Sequence, residues 1–183
     1  MKNNFISEKI FGKQFFSKYY LVILGVILLT ISSKISIPFF PIPMTLQTLV
    51  VYFISSFMGI LGFRAIFIYL LFGILGLPIF SDGGGFEFVF SPKFGFLYGM
   101  LFASLTIFYI LKNGLNNFTK IFMSIFLGFC SMYFIGICHL SYFIGFQKAF
   151  IDNFLPLIYG EFFKVLLASV MIYFLMLKLK NNE

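Results

Sequence analysis

The sequence predicts an all-α integral membrane protein with six transmembrane helices and with both termini in the cytoplasm. Of its 183 residues, 61% are hydrophobic and only 10% are charged, whereas a soluble domain is roughly 45–50% apolar and about 25% charged. The apolar residues form long runs that lack the alternation of a barrel strand, so helix is the state that satisfies their backbone in lipid. The 31 Phe and 10 Tyr also exclude a disordered chain, which is poor in aromatic residues.

The six predicted helices follow from cutting the apolar runs where Pro, Gly and charged residues interrupt them, since a span needs about 20 residues. Residues 1–18 form a basic cytoplasmic N-terminal arm, and residues 19–180 form one transmembrane domain. The apolar run after the arm is longer than the roughly 7–15 residues of a signal-peptide core, so we expect the arm to stay in the mature protein. The predicted helices are Tyr19–Ile37, Leu46–Ile60, Phe63–Phe80, Phe94–Leu111, Phe118–Leu140 and Leu157–Leu177.

The distribution of charged residues supports this orientation. An even number of spans places both termini on one side, and the connections on that side then carry nine of the 13 Lys and Arg. Such an excess follows the positive-inside rule. We therefore interpret the net charge of +7 as evidence for the orientation of the chain in a lipid bilayer and not for binding to nucleic acid. The nine inner cations are Lys2, Lys9, Lys13, Lys18, Arg64, Lys112, Lys120, Lys178 and Lys180.

Several chemistries are excluded by what the chain lacks. His139 is the only His, so no pair of His can form a helical zinc motif. Gly12-Lys13 is not followed by Ser or Thr and has no upstream glycine, so we expect no phosphate loop and no ATP hydrolysis by this chain alone. Cys130 and Cys138 would be about 12 Å apart on a helix, too far for a disulfide, and we interpret both as packing residues.

The first outer connection is stiff. Pro38, Pro41 and Pro43 lie within six residues and fix backbone dihedrals, which suits a lid. Thr45 stands where an N-cap of the second helix belongs, and Gln47 falls in the first turn, where its amide can face whatever the loop covers. The alternative interpretation is a rigid linker followed by a cap.

The second outer connection contains Asp82 followed by the glycines Gly83–Gly85. Glycines let a backbone approach a ligand closely, and Asp82 can accept hydrogen bonds from ligand N–H groups or, alternatively, from the amides of an ordinary turn. Gly95 and Gly99, four residues apart in the fourth predicted helix, favour close packing between helices.

The third candidate site is the pair Glu161 and Lys164, which share one face of the sixth predicted helix because they are three residues apart. An ionisable side chain at the centre of a bilayer costs about 2.5–3.5 kcal/mol, so both must face protein or water. One alternative is an intrahelical ion pair or a snorkelling lysine. The other is a cavity in which the carboxylate accepts ligand N–H groups and the ammonium binds a ligand carboxylate.

Taken together, these motifs resemble the BioY family, the biotin-capturing S component of energy-coupling-factor (ECF) vitamin transporters. The likeness covers nearly the whole chain. It is carried by Pro-Phe-x-Pro-Ile-Pro-Met-Thr-Leu-Gln-Thr-Leu over 38–49, Gly-Leu-Pro-Ile-Phe over 76–80 with the following glycines, Ser-Pro-x-x-Gly over 91–95, and Gly-Glu-x-x-Lys over 160–164.

This resemblance implies an ECF S-component-like bundle that captures biotin at the outer face and delivers it across the membrane. Residues 19–180 would then be a six-helix substrate-binding domain in a bacterial plasma membrane. The resemblance also implies that the chain is not an enzyme and has no cofactor, biotin being the transported ligand. The implied partners are a shared transmembrane T subunit and two ATPase subunits.

The resemblance further implies roles for individual residues. Glu161 would meet the ureido N–H groups of biotin, with Asp82 assisting, and Lys164 would meet the valerate carboxylate, with Lys93 as a second cation. Gln47 and the loop tip would close over the apolar ring. The remaining expected ligand-binding residues are Phe39 and Phe40 at that tip and Tyr159 beside the charged pair.

The chain also departs from the family pattern. Glu161 replaces the usual Asp, which moves the carboxylate by about 1.5 Å, one C–C bond. Gly25 and Leu29 stand near the place of an Ala-x-x-x-Ala surface that docks the T subunit in such proteins. The alternatives that stay open are an S component for another vitamin, a small membrane enzyme such as a lipid-modifying transferase, and a scaffold subunit; the enzyme would have to use Glu161, Asp82 and His139.

Overall fold

A computed structural model of the chain describes residues 5–11, 15–37, 44–115 and 117–181, which are mostly helical. Two short strands and a 3₁₀ helix occur in the outer connections, and a π-helical stretch leads into the last helix. The elements are α1 (Ile6–Phe11), α2 (Phe15–Lys34), β1 (Ser36–Ile37), β2 (Met44–Thr45), α3 (Gln47–Met58), α4 (Ile60–Ile74), a 3₁₀ helix (Phe86–Phe90), α5 (Phe94–Leu111), α6 (Phe118–Ile144), α7 (Phe146–Lys148), a π-helix (Ala149–Phe154) and α8 (Leu155–Asn181).

All six predicted helices are present as α2 to α6 and α8, and the bounds of α5 are those predicted. The largest difference is at α4, which ends at Ile74 where the prediction continued to Phe80. Gly76 has a φ of +105°, a conformation that ends a helix. Phe80 then folds back and buries its ring against Gly73, where a Cβ would overlap it.

Three of the described helices, α5, α6 and α8, are long and apolar enough to cross a membrane. The apolar helices α3 and α4 have 12 and 15 residues and are shorter than a typical span. Many large apolar side chains on the outside of the bundle are exposed, as expected for a surface that faces lipid. The chain therefore has the character of a membrane protein, while six complete spans and cytoplasmic termini stay predictions.

The turn between α3 and α4 is tight, with Gly59 as the single linking residue. Its φ of +58° favours glycine, and a Cβ there would lie 2.5 Å from the ring of Phe5. Phe5 also stacks on Phe108 with a centroid separation of 5.7 Å. Phe5, the first described residue of the N-terminal arm, thus packs into the bundle. The arm's predicted boundary at residue 18 stays a prediction.

Glycines bring α5 and α6 close together, as the sequence predicted for two of them. A Cβ at Gly99 would lie 2.9 Å from the carbonyl oxygen of Met132, and a Cβ at Gly95 would overlap His139. On α2, Gly25 lies against α4, where a Cβ would be 2.7 Å from that of Ala65. Gly25 is therefore used for packing inside the bundle.

The two cysteines lie on the outside of α6. Both thiols are free, in agreement with the expected absence of a disulfide. The interpretation of Cys130 and Cys138 as packing residues is wrong, because both are exposed. A thiol is a small and largely apolar group, so the lipid-facing side of a helix accommodates it.

Candidate ligand-binding site

The strands β1 and β2 form a small antiparallel sheet in which Ser36 pairs with Thr45. The sheet packs on the beginning of α8, where a Cβ at Gly160 would overlap the terminal methyl of Met44. The tip of this connection, including the predicted lid residues Phe39 and Phe40, lies outside the described residues. The prolines that predicted its stiffness, at 38, 41 and 43, lie there as well.

Thr45 does not cap α3, and that prediction is wrong. The N-cap position is occupied by Leu46, with helical dihedrals (φ −73°, ψ −8°) and no side-chain cap. Strand pairing continues to this residue, since the amide of Leu46 donates to the carbonyl of Ile35 at 2.9 Å. Thr45 is held in the sheet instead, and its carbonyl oxygen points toward α8.

The carbonyl of Thr45 accepts a 2.6 Å hydrogen bond from the ammonium of Lys164. The same Nζ donates to Glu161 Oε1 at 2.5 Å and to Thr48 Oγ1 at 3.1 Å. The side chains of Lys164 and Glu161 are only 8% and 2% exposed. The intrahelical ion pair is therefore present and faces the interior of the bundle, which excludes the snorkelling alternative for Lys164.

The carboxylate of Glu161 has two further partners, both on α3. Thr48 Oγ1 donates to Oε1 at 3.0 Å, and the hydroxyl of Tyr52 donates to Oε2 at 3.3 Å. Sequence reasoning missed both residues. Their signal was a polar face on an otherwise apolar helix, since Thr48 and Tyr52 are four residues apart.

This network joins α3 to α8 with two buried charges. Removing such charges from water is costly, so they are tolerated only when each is paired and hydrogen-bonded. Here every donor of the Lys164 ammonium has an acceptor, and both oxygens of Glu161 have donors. We call this set of four residues, Thr48, Tyr52, Glu161 and Lys164, the charged cluster.

Asp82 and Lys93 form a second ion pair, which shares no residue with the charged cluster. Their side chains are 46% and 31% exposed, so this pair lies at the surface of the outer connections. Gly83 and Gly85, with φ of +123° and +125°, shape the turn that carries Asp82. The structure thus joins Asp82 to Lys93 and keeps both apart from Glu161.

A small cavity lies beside Thr45, Gln47 and Lys93 and holds about 50 Å³ of free space. That is room for a few water molecules, whereas ligand pockets usually have about 300–1,000 Å³. A bicyclic ligand therefore requires the surrounding elements to move apart. The residues that line the cavity are Thr45, Gln47, Ser81, Phe88, Lys93, Phe96, Leu97 and Met100.

Gln47 is a buried polar residue in this lining with a donor that has no partner. The residue is 2% exposed, and its amide nitrogen Nε2 has no hydrogen-bond partner among the described residues. An unpaired buried donor costs about 1–3 kcal/mol. A donor left in this way beside a cavity favours a ligand that completes it.

We expect Gln47→Leu to separate stability from binding. Removing the unpaired N–H should leave the melting temperature of the ligand-free protein unchanged or higher, because leucine buries no polar donor at this position. Ligand affinity should fall about tenfold, since about 1.4 kcal/mol is a factor of ten. Thermal unfolding in detergent, with and without ligand, measures both quantities. Gln147→Leu, at an exposed position on α7, is the matched control, and an equal loss of affinity in both variants would exclude Gln47 from the site.

Two other candidates lie apart from these groups. The side chain of Tyr159 is 83% exposed, so the structure places it on the outside of α8 and not in the charged cluster. His139 has its Nε2 3.2 Å from the carbonyl oxygen of Ser91 and its ring edge against Tyr98. Within the described ranges, no group of three or more His, Cys, Asp or Glu is arranged to hold a metal ion.

Comparison with known proteins agrees with the resemblance noted in the sequence. The model of the BioY family matches residues 6–181. The chain belongs to the BioY family. A relative from Pyrococcus horikoshii, named probable biotin transporter BioY, is 32% identical over 152 residues, which are 82% of this chain and 90% of the relative. The biotin transporter BioY of Thermotoga maritima is 28% identical over 159 residues, 85% of this chain and 91% of the relative.

Structural comparison also finds a similar fold. A crystal structure of the S-component for biotin from an ECF-type ABC transporter superposes with a TM-score of 0.79. The match covers 88% of this chain and 91% of that one, at 23% sequence identity. The helical bundle of this BioY chain is therefore the fold of an ECF S-component.

Proposed function

We propose that this chain is the biotin-capture subunit of an ECF-type transporter and is not an enzyme. The BioY family match and the relatives named biotin transporters support this function. The observation in the structure that carries the proposal is the charged cluster, a carboxylate and an ammonium buried together next to a cavity with an unpaired amide. A ligand with N–H donors at one end and a carboxylate at the other would bind both charges once the 2.5 Å contact between Glu161 and Lys164 opens.

The charged cluster can exchange its internal partners for those of biotin. In the free chain Glu161 and Lys164 satisfy each other. The ureido N–H groups of biotin would donate to Glu161, and its valerate carboxylate would accept from Lys164, so neither charge is left unpaired in a dry environment. Thr48 and Tyr52 would keep the Glu161 carboxylate oriented during this exchange, because both donate to it from α3.

The neighbouring groups would complete the site. Gln47 would give its unpaired N–H to a polar atom of the ligand, and Phe39 and Phe40 would cover the apolar ring. Asp82 and Lys93 would assist at the mouth of the cavity, where their ion pair lies. Tyr159 has no place in this arrangement because its side chain faces outward.

Ligand entry requires the cavity to widen, and the small sheet is the element placed to move. Met44 lies against Gly160, and Thr45 accepts from Lys164, so β2 closes the route from the cavity to the charged cluster. Displacing β2 would open that route and free one donor of Lys164 for the ligand carboxylate. The carboxylate of biotin would then accept the hydrogen bond that Lys164 no longer donates to the carbonyl of Thr45.

The remaining features of the proposal concern the assembled transporter. Six spans are supported by the apolar runs, and cytoplasmic termini by the charge distribution. A bacterial plasma membrane is what the family resemblance implies. A T subunit and two ATPase subunits would supply energy. Gly25 packs against Ala65 within the bundle, so docking of the T subunit would use other residues of α2.

Ligand retention after purification tests the proposed function. The full chain is purified in detergent from biotin-containing cells, denatured, and its small molecules are identified by mass spectrometry. We expect close to one mole of biotin per mole of chain. Turnover of added lipid would favour a membrane enzyme, and neither biotin nor turnover would favour a scaffold; either result would contradict the proposal.

A further inference from the structure

A second and larger groove lies between α2 and α4, at the ends where both helices begin. It encloses about 490 Å³, a volume within the usual range of ligand pockets, about 300–1,000 Å³. Its floor is apolar and includes Val22, Leu61 and Ile68, and Phe67 forms part of its wall. The groove does not contact the charged cluster or the cavity beside it.

Two cations, Lys18 and Arg64, stand at this groove. Neither makes a hydrogen bond or an ion pair within the part of the chain that the structure describes, and both are exposed. Other cations of the bundle do have partners: the ammonium of Lys34 donates to the carbonyl of Phe80 at 2.5 Å, and that of Lys120 to the carbonyl of Gly114 at 2.7 Å. Lys18 and Arg64 are thus available to an external anion.

The shape of the groove follows from the packing of its two helices. Gly25 and Ala65 bring the backbones of α2 and α4 close together. Toward the beginning of both helices, larger side chains such as Tyr19 and Phe63 take the place of small ones and leave an open space between them. The apolar side chains of the groove form a channel beside this close contact, and Lys18 and Arg64 lie at its edge. Exposed apolar side chains such as Ile23 and Phe67 belong to the same two helices.

We propose that this groove binds one anionic phospholipid. Its phosphate would lie between Lys18 and Arg64, where the planar guanidinium can make paired hydrogen bonds to phosphate oxygens. An acyl chain would occupy the apolar channel over Val22 and Ile68. Basic pockets between membrane helices on the cytoplasmic side are the usual binding sites of anionic lipid headgroups, and both cations belong to the predicted inner side. This proposal is independent of the identity of the transported ligand.

Lipid titration followed by native mass spectrometry tests the proposal. The full chain in neutral detergent is titrated with dioleoylphosphatidylglycerol or with dioleoylphosphatidylcholine. The mass spectra give the fraction of protein molecules that carry one bound lipid at each lipid concentration. We expect the anionic lipid to bind at least about tenfold more tightly. In the double variant Lys18→Gln/Arg64→Gln its affinity should fall about 30-fold, which corresponds to roughly 1 kcal/mol for each cation.

Two further variants distinguish a lipid site from general charge attraction. Lys178→Gln/Lys180→Gln removes the same charge from the end of α8, on the same predicted side, and should change affinity less than threefold. Ile68→Trp keeps both cations but fills the channel, and should weaken binding of the anionic lipid at least tenfold. Gel filtration and circular dichroism verify that each variant is folded.

Several outcomes would overturn the proposal. Equal losses in the two double variants would show attraction by net charge alone. Undiminished lipid binding by Ile68→Trp, or displacement of the lipid by inorganic phosphate at similar concentrations, would show an anion site without a chain channel. Normal lipid binding by all variants, together with loss of assembly with partner subunits in Lys18→Gln/Arg64→Gln, would make the groove a protein-docking surface instead.

Discussion

Replacing Lys164 by alanine is expected to weaken biotin binding about 100-fold while weakening the binding of biotin amide less than about fivefold. Truncating one partner of a buried, hydrogen-bonded charge pair costs about 2–5 kcal/mol. Biotin amide has no carboxylate, so it makes no ion pair with Lys164 that the substitution could remove. Equilibrium binding of both ligands to the purified chain measures the two dissociation constants. The ratio of the two dissociation constants measures the contribution of the ligand carboxylate to binding, because any general damage to the site weakens the binding of both ligands.

Two controls accompany this prediction. Lys148→Ala removes an exposed cation from α7 and should leave both affinities unchanged. Glu161→Asp restores the residue type that is usual in the family and should preserve binding of both ligands. If Lys164→Ala weakened biotin and biotin amide equally, Lys164 would have no role in binding the ligand carboxylate.

The second large effect concerns stability. Glu161→Gln and Lys164→Met should each lower the free energy of unfolding by about 3–5 kcal/mol, because each leaves one buried charge without its partner. The double variant should recover most of that loss, since no unpaired charge remains. Unfolding in detergent, followed by circular dichroism, gives the four values of a double-mutant cycle and their coupling energy.

The surface pair offers a matched comparison for this cycle. Asp82 and Lys93 are opposite charges in direct contact, like Glu161 and Lys164, but their side chains are 46% and 31% exposed. Asp82→Asn and Lys93→Gln should therefore each cost about 0–1 kcal/mol, the usual range for exposed pairs. A purely additive cycle at Glu161 and Lys164 would show that the two charges are stabilised independently and not by each other.

The parts of this structure that sequence predicts well depend on local patterns. Apolar runs bounded by Gly, Pro and charged residues located all six long helices, and the bounds of α5 were predicted to the residue. The end of α4 was predicted too late because the apolar run continues to Phe80. The chain leaves the helix through a turn at Gly76, and the ring of Phe80 packs edge-on against Tyr69 with a centroid separation of 5.5 Å. This tertiary contact is not encoded in the composition of the run.

In the candidate site, too, local patterns were predictable from the sequence and tertiary contacts were not. A spacing of three residues was enough to place Glu161 and Lys164 on one face of a helix. The partner Thr48 is 113 residues from Glu161 in the chain, so its contact depends on how α3 packs against α8. Thr45 matched the residue preference of an N-cap, yet pairing with Ser36 placed it in a strand, because sheet hydrogen bonds took precedence over local capping.

The most direct test of the central claim is competition binding of radiolabelled biotin to the purified chain against a panel of unlabelled vitamins. We predict that biotin displaces the label at submicromolar concentration, that biotin amide displaces it more weakly, and that riboflavin, thiamine and folate do not displace it. Displacement by another vitamin as effective as that by biotin, or no saturable biotin binding by the folded chain, would contradict it.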